Sequence, residues 1–207
     1  MIRIVTIERE YGAGGAVIAE KLAARLGWKH WDAEITAEIA RQAHVDQSSI
    51  ERLEERVDPL FYRLMKVFMR GSYERSLPVE NLDYLDCETL VTFMSRVIEN
   101  VAADGNCVIV GRGAPYLLRD RSDAFHVFIY ATWEEKMRRL RETGKSEKEA
   151  TELLESIDHE RATFVKTYFG KDWPTRQFYH LMLNSKVGDE IVIRTILGEI
   201  AALSALP

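Results

Sequence analysis

An apolar strand that runs straight into a glycine-rich loop and then a helix constrains this chain more than any other stretch. Residues 2–7 (I-R-I-V-T-I) read as a buried strand and residues 8–15 (E-R-E-Y-G-A-G-G) as the loop. Residues 16–26 (A-V-I-A-E-K-L-A-A-R-L) read as a helix closed by Gly27. That layout points backbone N–H groups and the positive end of a helix at one spot, which favours a phosphate. The standard phosphate loop ends G-K-[ST], with the lysine on the β/γ-phosphates and the hydroxyl on Mg2+. Here those places hold Gly15, Ala16 and Val17. Taken alone, the loop reads equally well as a tight turn, because only glycine adopts positive φ at little cost.

Downstream, apolar runs alternate with helical periodicity, the pattern of an α/β fold with a parallel sheet. Residues 28–31 form a short second strand ending at Asp32, and residues 107–110 (C-V-I-V) form the continuous apolar run of a central parallel strand. Residues 125–130 and 179–183 supply two more strands. T-W-E-E at 132–135 and S-E-K-E at 146–149 both match the capping box, so a helix begins at each, the second ending at Gly170. Residues 87–103 form an amphipathic helix stopped by Asp104-Gly105, and Asp189 caps a C-terminal helix that ends near Leu203. Helical patterns at 35–43, 48–57 and 58–69, with a loop at 71–86, interrupt the strand rhythm. Residues 36–101 are therefore expected as a helical insertion within a single domain spanning residues 1–207.

A chain of 207 residues can bury a full core. Its net charge of −5 argues against a broad nucleic-acid footprint, which needs a basic face. No apolar run approaches the about 20 residues of a membrane span, and no signal-peptide pattern precedes the first strand. A cytoplasmic protein with neither nucleic acid nor membrane as partner is the expectation; nothing in the sequence sets an oligomeric state. Cys87 and Cys107 lie far apart without C-x-x-C spacing and read as buried thiols. His30, His44, His126, His159 and His180 show no metal-ligand spacing, so no metal held by protein ligands is expected.

Three constellations carry candidate chemistry. Arg112 stands between Gly111 and Gly113 directly after the apolar strand, where ligands sit in open α/β sheets, and its planar fork suits a phosphate. Asp32 ends the second strand, as a helix cap or as a carboxylate near the acceptor or a metal. A basic series on the later helices includes Arg138, Arg139, Arg141, Arg161, Lys166 and Lys171, with Asp158 among them. Charges on amphipathic helices mostly form a solvated face, yet phosphoryl transfer needs cations brought over the phosphates.

Several ordered motifs together resemble the cytidylate kinase-like family. They are I-V-T-I-E-R-E-Y-G-A-G-G with the following helix and Trp31-Asp32, C-V-I-V-G-R-G-A at 107–114, and V-F-I-Y-A at 127–131. S-E-K-E-A at 146–150, D-H-E-R-A at 158–162, F-G-K-D-W at 169–173 and Y-H-L-M-L-N-S at 179–185 continue the likeness, with a gap at about residues 45–86. The resemblance implies a three-layer phosphate-loop kinase fold: a parallel five-stranded sheet, a helical acceptor-binding insertion and a lid at residues 133–176. It implies transfer of the γ-phosphoryl of ATP, with Mg2+, to a small nucleotide, CMP or dCMP first. Carried over by position, Gly12 to Gly15 cradle the donor phosphates, flanked by Arg9, Tyr11, Ala13 and Ala16. Arg112, with Gly111 and Asp32, binds the acceptor. Arg161, in the lid-like D-x-x-R-A, reaches the transferring group. Arg138, from the basic series on the later helices, is a further catalytic candidate.

The chain departs from that family at the loop, where the lysine is missing and even the arginine common in the looser branch (Y-G-S-G-G-R-E) is replaced by Ala16. Two alternatives follow. One is a non-catalytic nucleotide sensor, in which a lysine restored at position 15 creates activity. The other is a kinase of a different small molecule, with acceptor choice residing in residues 45–86.

Overall fold

The computed structural model describes residues 1–35, residue 38 and residues 87–205. The helices expected at 35–43, 48–57 and 58–69, the loop at 71–86 and most of the insertion lie outside the described residues. In chain order the described elements begin with β1 (Ile4–Arg9), α1 (Gly15–Leu26), β2 (Lys29–Trp31), α2 (Cys87–Asp104) and β3 (Cys107–Val110). They continue with α3 (Ala114–Leu117), β4 (Ala124–Tyr130), α4 (Trp133–Glu142), α5 (Glu147–Phe169), β5 (Leu181–Asn184) and α6 (Asp189–Ala205).

The strands form one parallel five-stranded sheet in the order β2-β3-β1-β4-β5. β1 is central because all six of its residues can be buried: Ile4 pairs Cys107 on one side and Ala124 on the other. Alternation then sorts side chains onto two faces. Val5, Ile7, Val108, Val110, Val127 and Ile129 pack against Ile18 and Leu22 of α1 and Val192 and Ile196 of α6. Ile4, Cys107, Ile109 and Ala124 pack against Met94, Ile98 and Ala102 of α2 and Phe164 of α5. The result is the expected three-layer sandwich. Met94, Val97, Ile98 and Val101 of α2, inside the span read as insertion, are thus part of the sheet's own core.

Local chemistry sets the helix ends. Thr132 and Ser146 cap α4 and α5, each accepting a hydrogen bond from the backbone N–H three residues on, as the capping boxes predict. Gly27 and Gly170 close α1 and α5 in the left-handed conformation. The start of α1 differs: Gly14 stands at the cap with φ 77° and offers no side-chain acceptor. The first N–H groups of α1 are therefore left to face the loop.

The strand order decides where a ligand can sit. The chain leaves β1 toward β2 and leaves β3 toward β4, so the connections part company between β1 and β3. In such sheets the crevice beyond the carboxyl ends at that switch point is the binding site.

Candidate active site

Two loops open at the switch point: residues 10–14 after β1, and Gly111-Arg112-Gly113 after β3. The second holds three consecutive residues in the left-handed region, at φ 65°, 58° and 67°. The glycines accept this; Arg112 does not do so freely, since a side chain in that region costs about 1–2 kcal/mol. The turn sends the Arg112 side chain inward, where it is completely buried and its Nη1 donates to Asp32 Oδ1 at 3.1 Å. Burial pushes the Arg112 guanidinium down, opposed by Asp32 and assisted by Arg9. Asp32 itself heads a helical turn, its carbonyl accepting from Ile35 N at 3.3 Å, so the cap position and the buried carboxylate coincide in one residue.

Arg9, the last residue of β1, is also buried. Its side chain runs between the two loops. A Cβ on Gly15 would meet Arg9 Cβ at 2.6 Å, and one on Gly111 would meet Arg9 Nη1 at 2.1 Å. The close approach of Arg9, more than room for a phosphate, explains these two glycines. A lysine at position 15, the change expected to awaken a silent loop, would drive its own Cβ into Arg9 and disrupt the site instead.

Helices α4 and α5 cover the loop. Met137, Leu140, Ala150 and Leu154 form a small core between them, and Tyr11 packs against it. Asp158 of α5 accepts a hydrogen bond from the Tyr11 N–H at 2.8 Å, and Arg161 Nη1 donates both to Asp158 at 3.0 Å and to the Arg9 carbonyl at 3.0 Å. Burial raises the Asp158 carboxyl above its ordinary value, with Arg161 opposing. Burial first, and Arg9 second, bring the Arg161 guanidinium down to about 10. Lys136 of α4 lies against Gly12 and pairs with Glu10 at 2.6 Å and, more distantly, Asp158 at 3.8 Å. Arg139 lies across Gly14, held by Glu135 at 3.0 Å and by Asp189 of α6 at 2.8 Å.

Of the residues singled out in the sequence, Arg9, Tyr11, Gly12, Ala13, Gly14, Gly15, Ala16, Gly111, Arg112, Asp32 and Arg161 converge on this crevice. Arg138 does not. It is half exposed and pairs outward with Glu135 at 2.5 Å and with Glu142. Its neighbour Arg139 takes the place at the loop, together with Lys136 and Asp158. The apolar pair Met137 and Leu140 reveals which stripe of α4 is buried, but not which flank of that stripe meets the loop. Lys136 and Arg139 share one flank, Arg138 and Arg141 the other. A hollow of about 570 Å3 lined by Trp133, Met137, Arg138, Arg141 and Thr151 draws on none of the loop residues.

Among the described residues no group of three or more His, Cys, Asp and Glu could hold a metal ion. Val17 replaces the usual hydroxyl, and Glu8 and Asp32 each pair with an arginine. This donor set does not fit a magnesium held by the protein. No helix among the described residues is long and apolar enough to cross a membrane.

The model of the cytidylate kinase-like family matches residues 4–187. The chain belongs to the cytidylate kinase-like family. Among solved structures, an uncharacterised protein from Eubacterium ventriosum ATCC 27560 superposes with a TM-score of 0.70 at 20% identity, covering 97% of this chain and 99% of that one. Shikimate kinase from Acinetobacter baumannii, in complex with shikimate, follows with a TM-score of 0.52 at 16% identity, over 100% and 97% of the two chains. The shikimate kinase of Bacteroides thetaiotaomicron gives 0.51 at 17%, over 100% of both. These likenesses are of fold. No curated protein matches the sequence. The family is thus cytidylate kinase-like, and the fold is one shared with shikimate kinases.

Proposed function

We propose that this family member transfers the γ-phosphoryl of ATP to a nucleoside monophosphate, CMP or dCMP first. The observation that carries the reading is the convergence of two buried arginines, from β1 and from the turn after β3, and a partly buried third from α5, on one crevice beside a helix start that lacks a side-chain cap. Glu8, Asp32 and Asp158 each stand beside one of them, and the planar guanidinium forks carry further N–H donors of the kind that suit phosphate oxygens.

In this reading the backbone of Gly12 to Gly15 cradles the donor phosphates, with Arg9, Tyr11, Ala13 and Ala16 forming its flanks. Arg112, aimed by Asp32, binds the acceptor phosphate through its planar fork beside Gly111, which leaves room for Arg9. Arg161, tied to the loop through the Arg9 carbonyl, reaches the transferring group. No protein base is required, because the attacking phosphate oxygen is already ionised. That oxygen bonds to the γ-phosphorus as the bond to the bridging oxygen breaks, and the electron pair leaves with ADP. Positioning and charge neutralisation are then the protein's contribution. Magnesium would arrive with the nucleotide, as it commonly does at phosphate sites.

The test is ATP consumption with Mg2+ against a panel of nucleoside monophosphates, with shikimate as a hydroxyl acceptor, and nucleotide binding followed by calorimetry. Turnover on CMP or dCMP supports the reading. Binding without turnover moves the protein to the sensor reading, which is favoured by Asp158 sitting on a loop N–H. Turnover only on a non-nucleotide acceptor makes it a kinase of another small molecule.

A further inference from the structure

We propose that Arg9 supplies the phosphate-directed cation that the loop lacks, its guanidinium meeting the terminal phosphoryl of the donor between the glycine loop and Arg112. This inference rests on the kinase reading above. In the standard loop the cation rises from the start of the helix; here it comes from the end of the preceding strand.

Position is the first argument. The Arg9 stem lies against the first residue of α1, and Nη1 reaches the turn that carries Arg112. The guanidinium thus spans the gap between the loop that would hold the donor and the arginine that would hold the acceptor. That is where a phosphoryl group in transit must pass. The second argument is the cut of the backbone around it. Gly15 and Gly111 both lack the Cβ that would collide with Arg9, and any side chain at either position would dislodge it. The third is charge. Arg9 lies in the fields of both Arg112 and Arg161, and weakens the hold of each on its proton. Its carboxylate neighbour Glu8 stands at 3.4 Å from Nη1.

The experiment compares ATP and ADP binding by calorimetry in the wild-type protein, in Arg9→Met, which keeps the stem against Gly15, and in Arg9→Gln, read the same way should Arg9→Met fail to fold. The proposal expects ATP affinity to fall about tenfold or more, the size of a charge-assisted hydrogen bond, while ADP affinity stays within about threefold. Turnover should fall by roughly 10³-fold or more, as it does when a phosphate-directed arginine is lost. Equal weakening of ATP and ADP, or no change in either, would show that Arg9 only packs, and overturns the proposal while leaving the kinase reading intact. A wild-type protein that binds neither nucleotide overturns both.

Discussion

The Arg112–Asp32 pair yields the sharpest quantitative expectation. Removing the carboxylate with Asp32→Ala leaves a completely buried guanidinium without that partner, which destabilises the fold by about 3–5 kcal/mol. Arg112→Gly strands the carboxylate instead, yet it also releases a residue held at φ 58°, returning about 1–2 kcal/mol. The loss is then smaller, about 1–4 kcal/mol by the difference of those two effects. The double variant contains neither buried charge nor strained backbone, so despite the cavity it leaves it should be more stable than Asp32→Ala by at least about 2 kcal/mol. Urea unfolding of the four proteins reads this directly, provided the m-value stays constant. A coupling energy of at least about 3 kcal/mol between the two sites is expected. For a chain of this size Asp32→Ala should also lower Tm by about 6 °C or more. A double variant as unstable as Asp32→Ala would refute the reasoning, because the cost would then lie outside the pair. Should the double variant prove stable and fail to bind any nucleoside monophosphate, the pair and its turn exist for the ligand and not for the fold.

Four further outcomes follow from the geometry. His126 is buried on β4 against Thr6 and His180, and burial pushes it down from 6.5 to about 4. The unfolded chain takes up that proton first, so the stabilisation is complete above about pH 6.5 and drains away toward pH 4, a loss of about 3 kcal/mol. Urea midpoints measured from pH 7 to 4 check this, and His126→Phe should flatten the slope. Asp158→Asn should tighten binding of inorganic tripolyphosphate about tenfold, because a competing charge leaves the loop N–H and Arg161; unchanged calorimetric affinity would remove Asp158 as a competitor. Gly15→Ala should destabilise by about 1–3 kcal/mol through its 2.6 Å clash with Arg9 Cβ, as measured by thermal melting, and much less when combined with Arg9→Gly, which removes that atom. Arg138→Ala should change stability by no more than about 0.5 kcal/mol, as surface pairs do, and leave nucleotide affinity untouched, whereas Arg139→Ala should weaken it.

What the sequence determined is what depends on short spacings. Continuous apolar runs set the strands, S/T-x-x-E set the starts of α4 and α5, and the glycines after α1 and α5 set their ends, because each is decided by neighbours a few residues away. The glycine loop, Arg112 and Asp32 were legible for the same reason: each sits at a strand end, and in a parallel sheet strand ends are where ligands gather. Tertiary structure alone decided the rest. That Gly111 makes room for Arg9 depends on a contact across the β1–β3 switch point, between residues about a hundred positions apart in the chain. That Arg139 and not Arg138 meets the loop depends on which flank of α4 is turned inward, and helical period does not distinguish the two flanks of an apolar stripe. The carboxylate of Asp158 on the Tyr11 N–H likewise needed α5 folded back over the loop. Spacing along the chain names the groups that can do chemistry; only packing shows which of them stand together.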